Sequence, residues 1–144
     1  ALSVLTAVVG ALFLTKFAFA QSNSCDSAAS TMDFKTLATT YFETWNAHNV
    51  EGLEGLFAAD VVLRDWDIKK AGAKEVAAAN GGIFEAVPKI AIEVLTVHES
   101  PSTSAAVCEI LVKLNNDAGE VLKVVDVITF DAAGKITAVR AYKG

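Results

Sequence analysis

The stretch of sequence that decides the fold is EVLKVVDVITF, residues 120–130. Side chains along a strand alternate between the two faces of a sheet. One face here consists of Glu120, Leu122, Val124, Asp126, Ile128 and Phe130, and the other consists of Val121, Lys123, Val125, Val127 and Thr129. Asp126 therefore falls in the middle of the more apolar face, which we predict to face the core. If that face lies towards solvent instead, Asp126 is an ordinary exposed carboxylate.

A buried position would change the protonation of Asp126. Desolvation disfavours the charged form of a carboxylic acid and raises its pKa. We therefore expect the Asp126 carboxyl group to stay protonated near neutral pH, where it can donate a hydrogen bond.

The period-two pattern continues in the neighbouring segments. Residues 89–98, 104–114 and 135–143 read as further strands, and residues 89–98 place Ile90, Ile92 and Val94 on one side. The turns between the last three strands are short, NNDAG at 115–119 and DAAG at 131–134. Such short connections between neighbouring strands predict an antiparallel meander.

Three helices are predicted before this meander. The first carries an apolar stripe with helical spacing, made of Phe34, Leu37, Ala38, Tyr41, Phe42 and Trp45. The second is short, begins after Asn49 as N-cap and has Leu53, Leu56 and Phe57 on its inner face, with residues 58–60 closing it. Residues 61–65 read as a short strand, residues 67–70 as a polar turn, and residues 72–84 as a third helix with Val76, Ile83 and Phe84 inside. Helices followed by strands predict an α+β domain, here residues 31–144.

The overall composition excludes several classes of protein. The chain has 144 residues, of which 53% are hydrophobic and 20% are charged, enough for one domain with a core. The net charge is −5 without a basic stripe, which argues against binding to nucleic acid or to an anionic membrane surface.

The first twenty residues are nearly all apolar and end in Ala18-Phe19-Ala20. This pattern predicts a secretory signal that is cleaved after Ala20, with a membrane anchor as the alternative. Residues 21–30 are small and polar and read as a linker. We therefore expect a secreted or periplasmic protein that has no membrane contact after signal removal.

The two cysteines and two histidines give no sign of a metal site. Cys25 lies in the linker and Cys108 in a strand, so they are either two free thiols or a disulfide that export would permit. His48 and His98 are isolated, and neither belongs to a cluster with metal-ligand spacing. We expect no metal and no cofactor.

Two further ionisable residues lie within apolar patterns. Asp65 shares its phase with Val61 and Leu63 at the end of a strand, where it could act as a general base. It could equally be a turn residue, and Asp67 is a rival carboxylate. Tyr41 belongs to the apolar stripe of the first helix, so its hydroxyl group either needs a buried partner or lies at the rim of the core.

Together, the three residues suggest one chemistry. Asp65 would remove a proton beside a carbonyl group, and two neutral donors, Tyr41 and a protonated Asp126, would stabilise the resulting enolate oxygen. An apolar pocket would keep the acid protonated and would strengthen both hydrogen bonds.

These segments resemble the ketosteroid isomerases and the wider SnoaL-like, nuclear-transport-factor-2-like (NTF2-like) superfamily. The resemblance covers roughly residues 34–144 and rests on three segments, YFETWN at 41–46, LFAAD at 56–60 and VDVITF at 125–130. By this likeness Tyr41 and Asp126 fall on the two oxyanion-hole donors, and Asp65 falls on the catalytic base. The resemblance implies a curved antiparallel sheet packed against three helices around an apolar pocket, and a homodimer formed through the sheet.

The resemblance also implies which residues surround the pocket, namely Trp45, Trp66, Asn80, Phe84, Val124 and Ile128. Two positions depart from the isomerases. Trp66-Asp67 follows the base where the isomerases have proline and small residues, and Asn80 stands where they have a supporting tyrosine. These departures argue against a steroid as the substrate.

Two functions follow from the sequence. The first is a cofactor-free isomerase, cyclase or lyase that acts on a small apolar carbonyl compound. The alternative is a non-catalytic module that binds a hydrophobic ligand or pairs with another chain.

Overall fold

In the computed structural model, which describes residues 31–144, three helices pack on one face of a six-stranded sheet. The helices are α1 (Phe34–Asn46), α2 (Val50–Leu56) and α3 (Ala73–Ala86). The strands are β1 (Phe57–Arg64), β2 (Lys69–Ala71), β3 (Ala91–Ser100), β4 (Ala105–Lys113), β5 (Val121–Phe130) and β6 (Ile136–Lys143). The predicted signal segment, the polar linker and Cys25 lie outside the described residues.

The strands lie in the order β2-β1-β6-β5-β4-β3. Strands β3 to β6 form the predicted antiparallel meander, with Cys108 opposite Asp126 and Asp126 opposite Ala141. The predicted α+β fold is confirmed, and its sheet is mixed, because β1 pairs in parallel with β6, with Leu63 beside Val139. A parallel pair needs a long crossover, and here the chain between these strands runs through α3 and the rest of the meander.

The boundary between α2 and β1 also differs from the prediction. The second helix ends at Leu56, and Phe57 already has the extended backbone of β1, so residues 58–60 belong to the strand and do not close the helix. Phe57 is buried and pairs with Ile136. An inward-facing apolar residue satisfies either assignment, which is why the pattern alone placed Phe57 on the helix.

Two smaller differences concern the strands. The predicted polar turn at 67–70 contains the start of β2, whose three residues are all exposed and therefore carry no apolar pattern. Val94 is 37% exposed, although it pairs with the buried Ile110 in the same register in which Ile92 pairs with Val112. It lies on the edge strand of the sheet, and the pairing of β3 with β4 shifts register just after it, between Val94 and Thr96. A bulge of this kind bends a strand and increases its twist.

The core lies between the helices and the inner face of the sheet. The stripe of α1 contributes Phe34, Ala38, Tyr41, Phe42 and Trp45, all buried. Asp33 caps this helix by accepting a hydrogen bond from the Thr36 N–H at 2.9 Å. On β5 the buried residues are Val124, Asp126, Ile128 and Phe130, so the face that carries Asp126 is the core face. None of the helices in residues 31–144 has the length and hydropathy needed to cross a membrane.

Candidate active site

An apolar cavity of about 240 Å³ opens between α1, α3 and the inner face of the sheet. Branched aliphatic side chains from α3 and the strands form much of its wall, among them Ile83, Ile92, Ile110, Val112 and Leu122. Tyr41, Asp65 and Asp126 all line this same cavity. The structure therefore brings together the three ionisable residues singled out in the sequence.

Asp126 lies in the middle of β5 with only 5% of its surface exposed. Its Oδ1 atom is buried and has no hydrogen-bond partner among the described residues. Burial raises the pKa of Asp126 to about 7, and the negative charge of Asp65 adds to the effect. The carboxyl group can therefore exist in either protonation state near neutral pH, and its protonated form can donate a hydrogen bond into the cavity.

Tyr41 is fixed by aromatic packing on the inner face of α1. Its ring meets the ring of Phe42 edge to face, with centroids 5.1 Å apart, and only 3% of the residue is exposed. Burial raises the pKa of the Tyr41 phenol well above its usual value, with a further contribution from the charge of Asp126. The phenol is therefore neutral over the whole physiological pH range and can act as a hydrogen-bond donor.

Asp65 follows the last residue of β1 and starts the hairpin loop to β2. The backbone N–H of Asp67 donates to its Oδ1 atom at 2.7 Å, and the N–H of Ile68 donates to the same oxygen. Among residues 31–144, no group donates a hydrogen bond to its Oδ2 atom. Asp65 is thus both the turn residue and a cavity residue, and the turn orients the carboxylate so that Oδ2 remains for a ligand.

A buried hydrogen bond joins α1 to α3 beside the cavity. The Trp45 Nε1–H donates to Asn80 Oδ1 at 2.9 Å, and Asn80 Nδ2 donates to the carbonyl oxygen of Val76 at 2.9 Å. Asn80 therefore supports Trp45, where the isomerases would have a tyrosine behind the oxyanion-hole phenol. In the sequence, Asn80 stood out as a single amide in an Ala-rich helix, but the sequence could not show that its partner is Trp45.

The other expected lining residues divide into two groups. Trp45, Trp66, Asn80 and Val124 line the cavity, as does the rival carboxylate Asp67. Phe84 and Ile128 do not belong to its lining. Phe84 stacks on the ring of His48 with centroids 4.3 Å apart, and Ile128 is fully buried in the core. The inward residues of β3 and β4, such as Ile92 and Ile110, were not singled out, although their phase on neighbouring strands pointed to the same face.

The remaining histidines and the buried cysteine do not form a metal site. Among residues 31–144 no group of three or more His, Cys, Asp or Glu side chains is placed to hold a metal ion. His48 lies against Phe84, and its Nε2 atom is 3.0 Å from the Ile90 carbonyl oxygen. Burial raises the pKa of the Cys108 thiol to about 12, so this side chain stays protonated beside Asp126.

Solved structures with the same fold come from several bacteria. An NTF2-like protein of unknown function from Cytophaga hutchinsonii superposes with a TM-score of 0.65 at 12% identity, covering 78% of this chain and 91% of the other. A candidate isomerase of the SnoaL-like family from Agrobacterium tumefaciens gives a TM-score of 0.65 at 17% identity, with 77% and 97% covered. Rv0760c from Mycobacterium tuberculosis, solved in complex with estradiol-17β-hemisuccinate, gives 0.63 at 19% identity, with 75% and 91% covered.

At these identities the likeness establishes a common fold, and the sequence itself establishes the family. No curated protein matches the chain. Residues 38–139 match the SnoaL-like domain, and these residues include Tyr41, Asp65 and Asp126. The match spans well over half of the 144 residues. The chain belongs to the SnoaL-like domain family.

Proposed function

We propose that this protein is a cofactor-free enzyme that moves a proton beside the carbonyl group of a small apolar compound, as an isomerase, cyclase or lyase does. The observation that carries the proposal is that three ionisable side chains, of which Tyr41 and Asp126 are buried, line one apolar cavity. An active site for this chemistry needs an ionised base and separate protonated donors. The surroundings of each group must keep it in the protonation state that its role requires.

Each of the three residues has a distinct role. Asp65 accepts the proton through Oδ2, while its Oδ1 atom is held by the turn. Tyr41 and the protonated form of Asp126 donate hydrogen bonds to the oxygen that becomes negative in the enolate. Donors that are already oriented in an apolar, water-poor site stabilise that charge more strongly than water does.

The cavity favours a compact substrate. Its volume of about 240 Å³ is below the range of roughly 300–1,000 Å³ common for small-molecule sites. Trp66, with 43% of its surface exposed, lies where the cavity meets the hairpin loop. The estradiol derivative bound by Rv0760c supports a cyclic apolar ligand, and the cavity volume of about 240 Å³ argues for one or two rings.

Turnover and binding should be measured with cyclic β,γ-unsaturated ketones, whose isomerisation to conjugated enones is followed by absorbance. We expect Asp65→Asn to lower kcat by roughly 10²–10⁴-fold, the usual contribution of a general base. The asparagine Oδ1 atom can still accept the two turn N–H groups, so ligand affinity should change little. Both tryptophans of the chain line the cavity, and their fluorescence reports that affinity.

Asp67→Asn is the matched control. Asp67 is an exposed carboxylate that lines the same cavity two residues away. The Asp67→Asn variant should retain turnover if Asp65 is the base. Equal turnover in the wild type and the Asp65→Asn variant would contradict the proposed mechanism.

The alternative function is a pocket protein that binds its ligand without turning it over. One observation favours it, namely that Asn80 is engaged with Trp45 and provides no support behind Tyr41. Tight binding of a panel of cyclic ketones by a wild type that isomerises none of them would identify this alternative.

We also propose export and self-association. The apolar leader predicts that the mature protein begins at Gln21, which N-terminal sequencing of secreted material tests.

The outer face of the sheet carries a shallow depression lined by Leu95, Leu111, Val125 and Tyr142 among others. We expect two copies to pair through this face, since half-exposed apolar side chains there would be covered.

A further inference from the structure

A second pocket lies next to the hairpin loop and carries three cations. Its volume is about 250 Å³, and its lining includes Arg64, Arg140 and Lys143 together with the aromatic residues Trp66 and Tyr142. We call it the cationic pocket. The chain as a whole has 12 basic and 17 acidic residues, so three cations in one small pocket run against the general charge of the protein.

The pairing of β1 with β6 makes the two arginines neighbours. Arg64 ends β1 and lies directly beside Arg140 in the parallel pairing of β1 with β6. Like charges directly opposite each other on adjacent strands repel. No carboxylate among residues 31–144 lies within 4.0 Å of either guanidinium group to offset that repulsion. An anion that lies between or above the two exposed guanidinium groups would offset this repulsion.

The third cation is also oriented towards the pocket. Lys143 Nζ lies 5.6 Å from the centroid of the Trp66 ring, a distance at which a cation is attracted to an indole face. Of the described residues that line the cationic pocket, Asp65 alone is acidic, and its Oδ1 atom accepts two backbone N–H groups. The cations therefore outnumber the carboxylate three to one.

The cationic pocket adjoins the apolar cavity. Asp65, Trp66 and Ala141 line both of them. A ligand whose carbonyl group lies near Asp65 is therefore next to the pocket that contains the arginines. Guanidinium groups bind carboxylate and phosphate through paired hydrogen bonds, which fixes orientation as well as affinity.

We infer that the ligand of the apolar cavity carries a carboxylate or phosphate group, and that Arg64, Arg140 and Lys143 bind this group in the cationic pocket. The inference rests on the proposed function for the cavity and adds the chemical class of its substrate, an amphipathic acid with a compact cyclic ketone body.

The test uses two probes that differ in one charge, a cyclic enone with a butanoate side chain and the methyl ester of the same compound. Calorimetric titration of the full chain at low salt should show the carboxylate binding about tenfold more tightly than the ester. In Arg64→Gln/Arg140→Gln the affinity of the carboxylate should fall about tenfold, to that of the ester. Lys74→Gln/Lys89→Gln, which neutralises two exposed lysines outside both pockets, should keep the preference.

Several results would overturn the inference. Equal or absent binding of the two probes by the wild type would do so, as would a preference that survives in the arginine variant. Inorganic phosphate that binds without competing with the carboxylate probe would indicate a separate site for free anions. Loss of the preference together with a lower mass in light scattering would assign the arginines to a subunit contact.

These outcomes separate the inference from the proposed function. Asp65-dependent isomerisation of cyclic β,γ-unsaturated ketones, without any preference for the carboxylate probe, would leave the enzyme and remove only the anion site. A preference for the carboxylate probe in a protein that isomerises none of these ketones would remove the reaction and leave the anion site.

Discussion

The Asp126 carboxyl group is almost completely removed from solvent by the side chains around it. It is 5% exposed, its Oδ1 atom has no hydrogen-bond partner among the described residues, and its pKa is about 7. The folded protein therefore holds this proton more tightly than the unfolded chain, in which an Asp has a pKa of 3.8. The contribution of Asp126 to the free energy of unfolding is largest below about pH 4, and it falls as the pH rises to the folded pKa of about 7.

Asp126→Asn should remove this pH dependence, because the amide stays neutral. Between pH 5 and pH 8 the free energy of unfolding of the variant, relative to that of the wild type, should rise by roughly 2–3 kcal/mol. Urea denaturation of both proteins at the two pH values measures the difference. Asp117→Asn, at an exposed turn position, should follow the wild type at both. Parallel profiles for wild type and Asp126→Asn would show that the carboxyl group is not desolvated in the folded state.

Single residues were predictable to the extent that a strand or helix pattern determines which way they face. Asp126 and Tyr41 were placed inside by period-two and helical spacing, and both are buried. Asp65 admitted two readings, and both describe it, since it caps the turn and lines the cavity. The bond from Trp45 to Asn80 could not be predicted, because it depends on how α1 and α3 pack against each other.

At the level of elements, α3 contains two consecutive glycines and still runs unbroken from Ala73 to Ala86. A helical glycine is less favourable than alanine by about 1 kcal/mol. A Cβ atom added at Gly82 would meet nothing within 4 Å, whereas one at Gly81 would lie 3.3 Å from Val50 Cγ2 on α2. A side chain therefore fits freely at Gly82 and only tightly at Gly81.

Gly82→Ala should raise the free energy of unfolding by roughly 0.5–1 kcal/mol, because it adds helix propensity without a new contact. Gly81→Ala should gain less, since the new methyl group presses on Val50 across the contact between α2 and α3. Thermal and urea denaturation of the two variants give the comparison. A larger gain at Gly81 than at Gly82 would contradict this account of the helix contact.

Most elements were predictable from local patterns, and the exceptions share a physical cause. The meander from β3 to β6 followed from alternation and short turns. The parallel pairing of β1 with β6 joins residues far apart in the chain, such as Leu63 and Val139, and leaves no local pattern. The bulge in β3 likewise depends on its partner strand, because the pairing with β4 shifts register between Val94 and Thr96.

At the scale of the whole molecule, the outer face of the sheet bears on how copies of the chain associate. Leu95 and Tyr142 are each about half exposed, at 54% and 52%, and both line the shallow depression on that face. If two copies pair there, Leu95→Lys should convert a dimer into a monomer, because it would place a long charged side chain in the contact and remove an apolar one. Light scattering of wild type and variant measures the mass.

Val121→Lys is the matched control for that change. Val121 is 47% exposed at the start of β5 and does not line the depression. A dimer that persists in Leu95→Lys would argue against pairing through this face, and one that dissociates equally in both variants would argue against the depression as the centre of the contact.

Hydrogen exchange in the ligand tests whether Asp65 removes a proton beside a carbonyl group in the apolar cavity. Nuclear magnetic resonance can follow the exchange of the α′-protons of a cyclic enone for deuterium in D₂O with catalytic amounts of protein. We predict rapid exchange with the wild type and with Asp67→Asn, and a rate at least about 10²-fold lower with Asp65→Asn. Exchange with the wild type no faster than in buffer, or unchanged in Asp65→Asn, would contradict this prediction.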